Sequence, residues 1–222
     1  MGAVLILSAL LLLLYNRRED AQAGQEAESL LARVEAAIDT SQVIHAQTSE
    51  ERQLSVETKP SIKTPHTKTD AAGPLETEMP VVLLDGYEYI GYVEIPALGL
   101  KLPVMADWDY TRLKLAPCRQ FGSSRTDDLV IAAHNYENHF GRLNELSEGD
   151  TVRFTDMDGI VNTYSVEKLE TLKPEEVDAV QNSGYDLVLY TCTRGGRTRV
   201  TVFCDRAPAP AETEPSVIAQ EE

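Results

Sequence analysis

Leu187-Val188-Leu189-Tyr190-Thr191-Cys192-Thr193 is an apolar run that ends on a thiol and then meets a polar loop, Arg194-Gly195-Gly196-Arg197-Thr198. Its length and its β-branched and aromatic content read as a buried strand. A second strand pattern, Arg199-Val200-Thr201-Val202-Phe203-Cys204, opens on an arginine. Upstream, Leu129-Val130-Ile131-Ala132-Ala133 delivers His134. Each of these strand ends therefore carries one reactive side chain. A thiol, an imidazole and a guanidinium are the parts of an acyl-transfer site: the thiolate attacks a carbonyl, the imidazole moves protons and the cation steadies the oxyanion.

Each residue also has a plainer reading. A strand-end cysteine is often inert packing, and reactivity needs exposure beside positive charge. Arg194, Arg197 and Arg199 supply that charge around Cys192. Arg199 directly precedes an uninterrupted strand, so it is the fixed candidate, with Arg197 in reserve. His139 competes with His134 but falls in the polar stretch Glu137-Asn138-His139, which reads as a surface loop. His45 and His66 read as solvated.

A chain of 222 residues with a net charge of −16 accommodates one domain with appendages and is repelled by a phosphate backbone, so nucleic acid is excluded as a partner. Three cysteines, Cys118, Cys192 and Cys204, make no disulfide scaffold and show no zinc spacing. Cys118 and Cys204 read as buried free thiols, a bridge between them being the alternative. No metal or cofactor is expected. Asp156-Met157-Asp158-Gly159 starts like a calcium loop but lacks the later ligands, and Asp158-Gly159 suits a hairpin turn. Glu167, Glu170, Glu175 and Glu176 read as a solvated face. Trp108 and Tyr110 suit a groove wall or barrel-flank packing.

The chain divides by composition. Residues 1–16 read as a membrane anchor. Ala3 to Tyr15 is apolar but short of the ~20 residues a spanning helix needs, so the expectation is an anchor whose first residues are missing. A signal cleaved after Ala21-Gln22-Ala23 and a buried soluble helix are the alternatives. Residues 17–85 read as a juxtamembrane helix, carried by Leu30, Leu31, Val34, Ala37 and Ile38, followed by a flexible spacer from Thr40 to Pro80. Residues 86–206 read as the folded catalytic domain and 207–222 as an acidic disordered tail. Within the domain, strand patterns cover Ile90–Ile95, Leu100–Val104, Leu129–Ala133, Thr151–Thr155, Val161–Leu169, Leu187–Thr191 and Arg199–Phe203. Helical turns fit Tyr110–Leu115, Phe140–Leu146 and Pro174–Val180. Many short strands with few helices predict an all-β barrel or sandwich.

Leu189-Tyr190-Thr191-Cys192 resembles the TLxTC signature of sortases, the cysteine transpeptidases of Gram-positive cell envelopes. Ile131-Ala132-Ala133-His134-Asn135-Tyr136 resembles their histidine segment, and Arg199 falls where they carry an essential arginine. Gly91-Tyr92-Val93-Glu94-Ile95-Pro96, Leu102-Pro103-Val104 and Phe140-Gly141-Arg142-Leu143 extend the similarity over about Tyr87 to Arg206. Val188, Tyr190 and the short interval from Cys192 to Arg199 depart from the commonest pattern, and the histidine segment is closest to class B.

The resemblance implies an eight-stranded β-barrel with short helices and Cys192, His134 and Arg199 at one rim. It implies cleavage of an LPxTG-like sorting motif through a Cys192 thioacyl intermediate, then transfer to an amine of the cell wall or a pilin. Arg199 would hold the oxyanion and His134 would act as acid and base. Thr191, Asn135 and Tyr190 are the candidate substrate contacts. The implied location is the cell membrane, single-pass, with the catalytic domain outside. The alternatives are a thiol peptidase that uses water as acceptor and a non-catalytic extracellular binding module.

Overall fold

The computed structural model describes residues 2–54 and 78–207. Most of the expected spacer and nearly all of the expected acidic tail lie outside these residues. One helix, α1, runs without a break over Gly2–Leu54. It is longer than the juxtamembrane helix expected from the sequence, and it takes in Thr40 to Leu54, which the sequence predicts as spacer. The apolar stretch expected to be an anchor forms its first turns, and the side chains from Val4 to Leu7 and from Leu10 to Tyr15 are exposed. Among the described residues, no helix is long and apolar enough to cross a membrane.

The domain is one sheet closed on itself. Its strands are β1 (Val82–Leu84), β2 (Tyr87–Ile95), β3 (Leu100–Met105), β4 (Cys118–Phe121), β5 (Leu129–Ala133), β6 (Thr151–Asp156), β7 (Val161–Leu172), β8 (Leu187–Cys192) and β9 (Arg199–Arg206). Short helices α2 (Arg112–Leu115) and α3 (Asp178–Gln181) sit in connections. The order is β1-β2-β3-β4-β5-β8-β9-β7-β6, and β6 pairs back onto β2. β2 to β9 thus make an eight-stranded closed barrel, and β1 shares an edge of β2 with β6 (Val82↔Tyr89 for β1, Gly91↔Asp156 for β6). Closure brings β2 and β6 very close at Gly91, whose φ is +143°, beside a register shift in β2. A Cβ there would collide with the Thr155 carbonyl oxygen. Asp158-Gly159 makes the turn of the β6–β7 hairpin, Gly159 N donating to Asp156 O at 2.9 Å.

Burial explains why some strands alternate and others do not. In β2, Ile90, Val93 and Ile95 are fully buried while Tyr92 and Glu94 are only partly covered. β5 and β8 are apolar throughout because both of their faces are covered. Leu129, Ile131, Leu187 and Leu189 fill the barrel. Val130 and Val188 point outward and pack with Phe203 and Val180 under the β7–β8 connection. A third cluster joins α1 to the barrel through Val34 and Ile38 against Tyr89, Met105 and Cys118. The buried positions Ala23, Ala27, Val34 and Ile38 form one face of α1 at helical spacing.

Candidate active site

Register brings the expected residues together. β5 and β8 are parallel with Ala133 opposite Thr191, so the next residue on each strand is His134 and Cys192. β8 and β9 are antiparallel with Cys192 directly opposite Arg199. Neighbouring strands lie about 4.8 Å apart, so thiol, imidazole and guanidinium arise from three consecutive strands at one rim. The hairpin between Cys192 and Arg199 is closed by Thr193 N on Thr198 O at 3.0 Å, and its two hydroxyls meet at 2.9 Å. Arg199 Nη1 donates to the carbonyls of Gly196 and Thr198, both at 3.1 Å, so the loop's own backbone orients the guanidinium. Arg197 is exposed in that loop, and Arg194 reaches Glu137 at 3.7 Å.

The three thiols are free and differ in setting. Cys118 and Cys204 are buried, and burial pushes the Cys118 thiol up to about 12 and Cys204 up as well. Cys192 is partly exposed and, with Arg199, lines a groove of about 210 Å³. Trp108, Tyr110, Phe121 and Val177 supply its apolar walls. Tyr190 stands beside Cys192 in this groove and donates its hydroxyl to Gln120 Oε1. Thr191 does not face the groove: it is buried, and its hydroxyl is spent on Ala133 O at 2.9 Å. The alternation of a strand, which sends residue 191 inward and residues 190 and 192 outward, accounts for this.

His134 is half-buried, and burial holds its pKa below the ordinary value; Lys114 pushes the same way and Glu19 opposes. The ring stacks on Tyr136, centroids 4.0 Å apart at 20°. Tyr136 meets the edge of His139 at 5.5 Å. His139 is not on the surface as its polar neighbours suggested: it is fully buried, and burial pushes its pKa down to about 4. Asn135 lies on a second and larger cavity, beside His134 rather than beside Cys192. α1 reaches this cavity as well, a contact the sequence does not predict. Its signal is the stripe of small and apolar residues at 23, 27, 34 and 38, whose face continues to Asn16 and Asp20 at the same cavity.

A sortase domain model matches residues 93–207. Sortase C1 of Streptococcus suis is 28% identical, over 57% of this chain and 76% of that one, with a TM-score of 0.50. Sortase C1 of Streptococcus agalactiae is 26% identical, over 58% and 72%, with a TM-score of 0.50. Sortase C1 of GBS pilus island 1 covers more, 84% and 95% with a TM-score of 0.54, at 20% identity, and shows the shared fold. No curated protein matches. These neighbours are C-type by name, while the histidine segment resembles class B. The domain match takes in more than half of the chain and carries the strand ends at residues 134, 192 and 199, and on that ground the protein belongs to the sortase family.

Proposed function

We propose that the protein is a cysteine transpeptidase acting on a C-terminal sorting motif, LPxTG-like or a variant, of surface proteins. The observation that carries this is the register of β5, β8 and β9, which gathers Cys192, His134 and Arg199 in a sortase-family domain. The groove lined by Trp108, Tyr110, Phe121 and Tyr190 takes the motif in an extended form, its scissile carbonyl over Cys192. The Cys192 thiol gives its proton to His134 as sulfur attacks the carbonyl carbon, and Arg199 binds the oxyanion, an interaction of the kind typically worth ~2.7–4 kcal/mol. His134 protonates the leaving amine, releasing the C-terminal fragment and leaving a thioester on Cys192. An amine of the cell wall or of a pilin then takes the acyl group, His134 removing its proton. Burial favours the neutral imidazole, the form able to take up a proton.

The same reading sets the domain at the outer face of the cell membrane, with the exposed apolar turns of α1 from Val4 to Leu12 at the lipid. A peptide library incubated with the full chain, read by intact mass, tests the function. A mass gain on Cys192 is expected, absent from Cys192→Ala and released by added amine. Equal peptide turnover by Cys192→Ala would end the proposal.

A further inference from the structure

Two cavities lie at the rim, one reaching Ala133 and Cys192 and the other the next residue of the first strand, His134. The groove described above touches Cys192 and Arg199. The other, about 780 Å³, lies between α1 and the barrel and touches His134. Asn135, Tyr136 and Glu137 line it from the barrel side, and Leu13, Asn16, Arg17, Glu19 and Asp20 from α1. Leu13, Asn16, Arg17 and Asp20 follow the i, i+3, i+4, i+7 spacing of one face, and Glu19 lies at its margin. That wall is fixed in place. Asn138 Nδ2 donates to Asp20 O at 3.1 Å, and a Cβ on Gly24 would stand only 3.0 Å from the Asn138 side chain.

We propose that this cavity, with α1 as one wall, is the entry site for the acceptor: a peptide primary amine on a segment that also carries a carboxylate. The assignment rests on the transpeptidase reading above. A transferase has to admit its second substrate while the acyl group still occupies the first site, and the residue that deprotonates the amine has to be reachable from that second site. His134 is the residue this cavity reaches. The lining carries both signs, Glu19, Asp20 and Glu137 against Arg17, Lys114 and Arg194, which suits a zwitterionic peptide end better than a polyanion or a lipid surface. Glu19 accepts the Tyr15 hydroxyl at 2.7 Å, and its charge acts on His134 in the sense that favours proton uptake. It is the acid best set to receive an ammonium.

The chemistry balances. The ammonium gives one proton to solvent. The amine nitrogen then attacks the thioester carbon, and the carbon–sulfur bond breaks with its electron pair on sulfur. His134 takes the remaining excess proton from nitrogen and returns it to sulfur. The products are an amide and the free Cys192 thiol.

The test uses the full chain, a donor peptide found by mass capture, and two acceptors, triglycine for an α-amine and Nα-acetyl-lysine for an ε-amine. Hydrolysis without amine reads the donor half alone. Asn16→Trp, which fills the cavity, is expected to lower the ratio of transfer to hydrolysis about tenfold while hydrolysis stays within about twofold. Glu19→Gln keeps side-chain size, and is expected to raise the KM of whichever amine saturates by about fivefold to tenfold. Should Asn16→Trp reduce hydrolysis too, the helix has shifted and Glu19→Gln decides. Unchanged transfer in both variants with hydrolysis intact would overturn the assignment. Failure of the unmodified enzyme to cleave any donor would instead remove the reading beneath it.

Discussion

Thr191 Oγ1 donates to the carbonyl oxygen of Ala133 at 2.9 Å, one residue before Cys192 on one strand and one before His134 on the other. This buried bond ties together the two strand ends that carry Cys192 and His134. Thr191→Val keeps the shape and removes the donor. A stability loss of about 1–3 kcal/mol is expected in urea unfolding, the cost of one unsatisfied buried group. The turnover number for donor peptide should fall about tenfold or more with little change in KM, because near-attack geometry is lost rather than binding. An unchanged turnover number would reduce the hydroxyl to packing.

Arg199 tests the opposite edge of the rim. Its Nη1 is shared between the carbonyls of Gly196 and Thr198, and the residue lines the groove beside Cys192. A lysine is a point charge and lacks the planar fork that divides donors between loop and substrate. Arg199→Lys is expected to cost 10²–10³ in turnover, the scale of one lost oxyanion donor. Arg197→Lys, on the exposed loop, is the control and should stay within about twofold of the unmodified enzyme. Steady-state cleavage of one donor peptide compares them.

The barrel and the three strand ends were legible because their signals are local. β8 reads as a strand from its unbroken apolar run, and the structure gives the reason: Leu187 and Leu189 enter the barrel while Val188 packs outside. β4 escaped notice because Cys118-Arg119-Gln120-Phe121 is short and polar at its centre, and its place depends on pairing with Ala132 and Ile131. The errors at the site have tertiary causes. His139 sits among polar residues, yet lies buried beside Tyr136 near the docked face of α1. Thr191 is expected at the substrate from its place in the motif, although period two already separates it from Tyr190 and Cys192. Nothing local in Ala23, Ala27 or Asp20 announces that α1 reaches the rim; only docking of the whole stripe does.

Asp156 is fully buried in the β6–β7 turn and takes Arg125 Nη2 at 2.6 Å and the amides of Asp158 and Ile160 at 3.0 and 2.9 Å. Even so, burial leaves its pKa above the ordinary carboxylate value. Removing the cation strands the charge. Arg125→Ala is therefore expected to lose about 3–5 kcal/mol at pH 7. The deficit should shrink as pH falls through the raised pKa of Asp156, since the folded state then holds the proton more tightly than the unfolded chain. Asp156→Asn in the Arg125→Ala background should recover part of the loss at pH 7. Urea midpoints at several pH values make the comparison.

His139 predicts an acid weakness of known sign. Its ring is buried, and burial lowers its pKa from 6.5 to about 4, outweighing the backbone of Ala23, which acts the other way. Above 6.5 the folded and unfolded chains both hold it neutral, and its full contribution to stability is present. As pH falls from 6.5 towards 4 the unfolded chain takes a proton that the folded chain refuses, so stability declines through that window and levels off below it. The interval corresponds to about 3 kcal/mol. His134, also lowered, adds a slope of the same sign, so one variant is needed to separate them. His139→Phe keeps a ring against Tyr136 and removes the titration. The stability difference between pH 7.5 and pH 4.5 is expected to be smaller in this variant by about 2–3 kcal/mol. Parallel pH profiles for the two proteins would mean that the His139 ring accepts its proton within the fold.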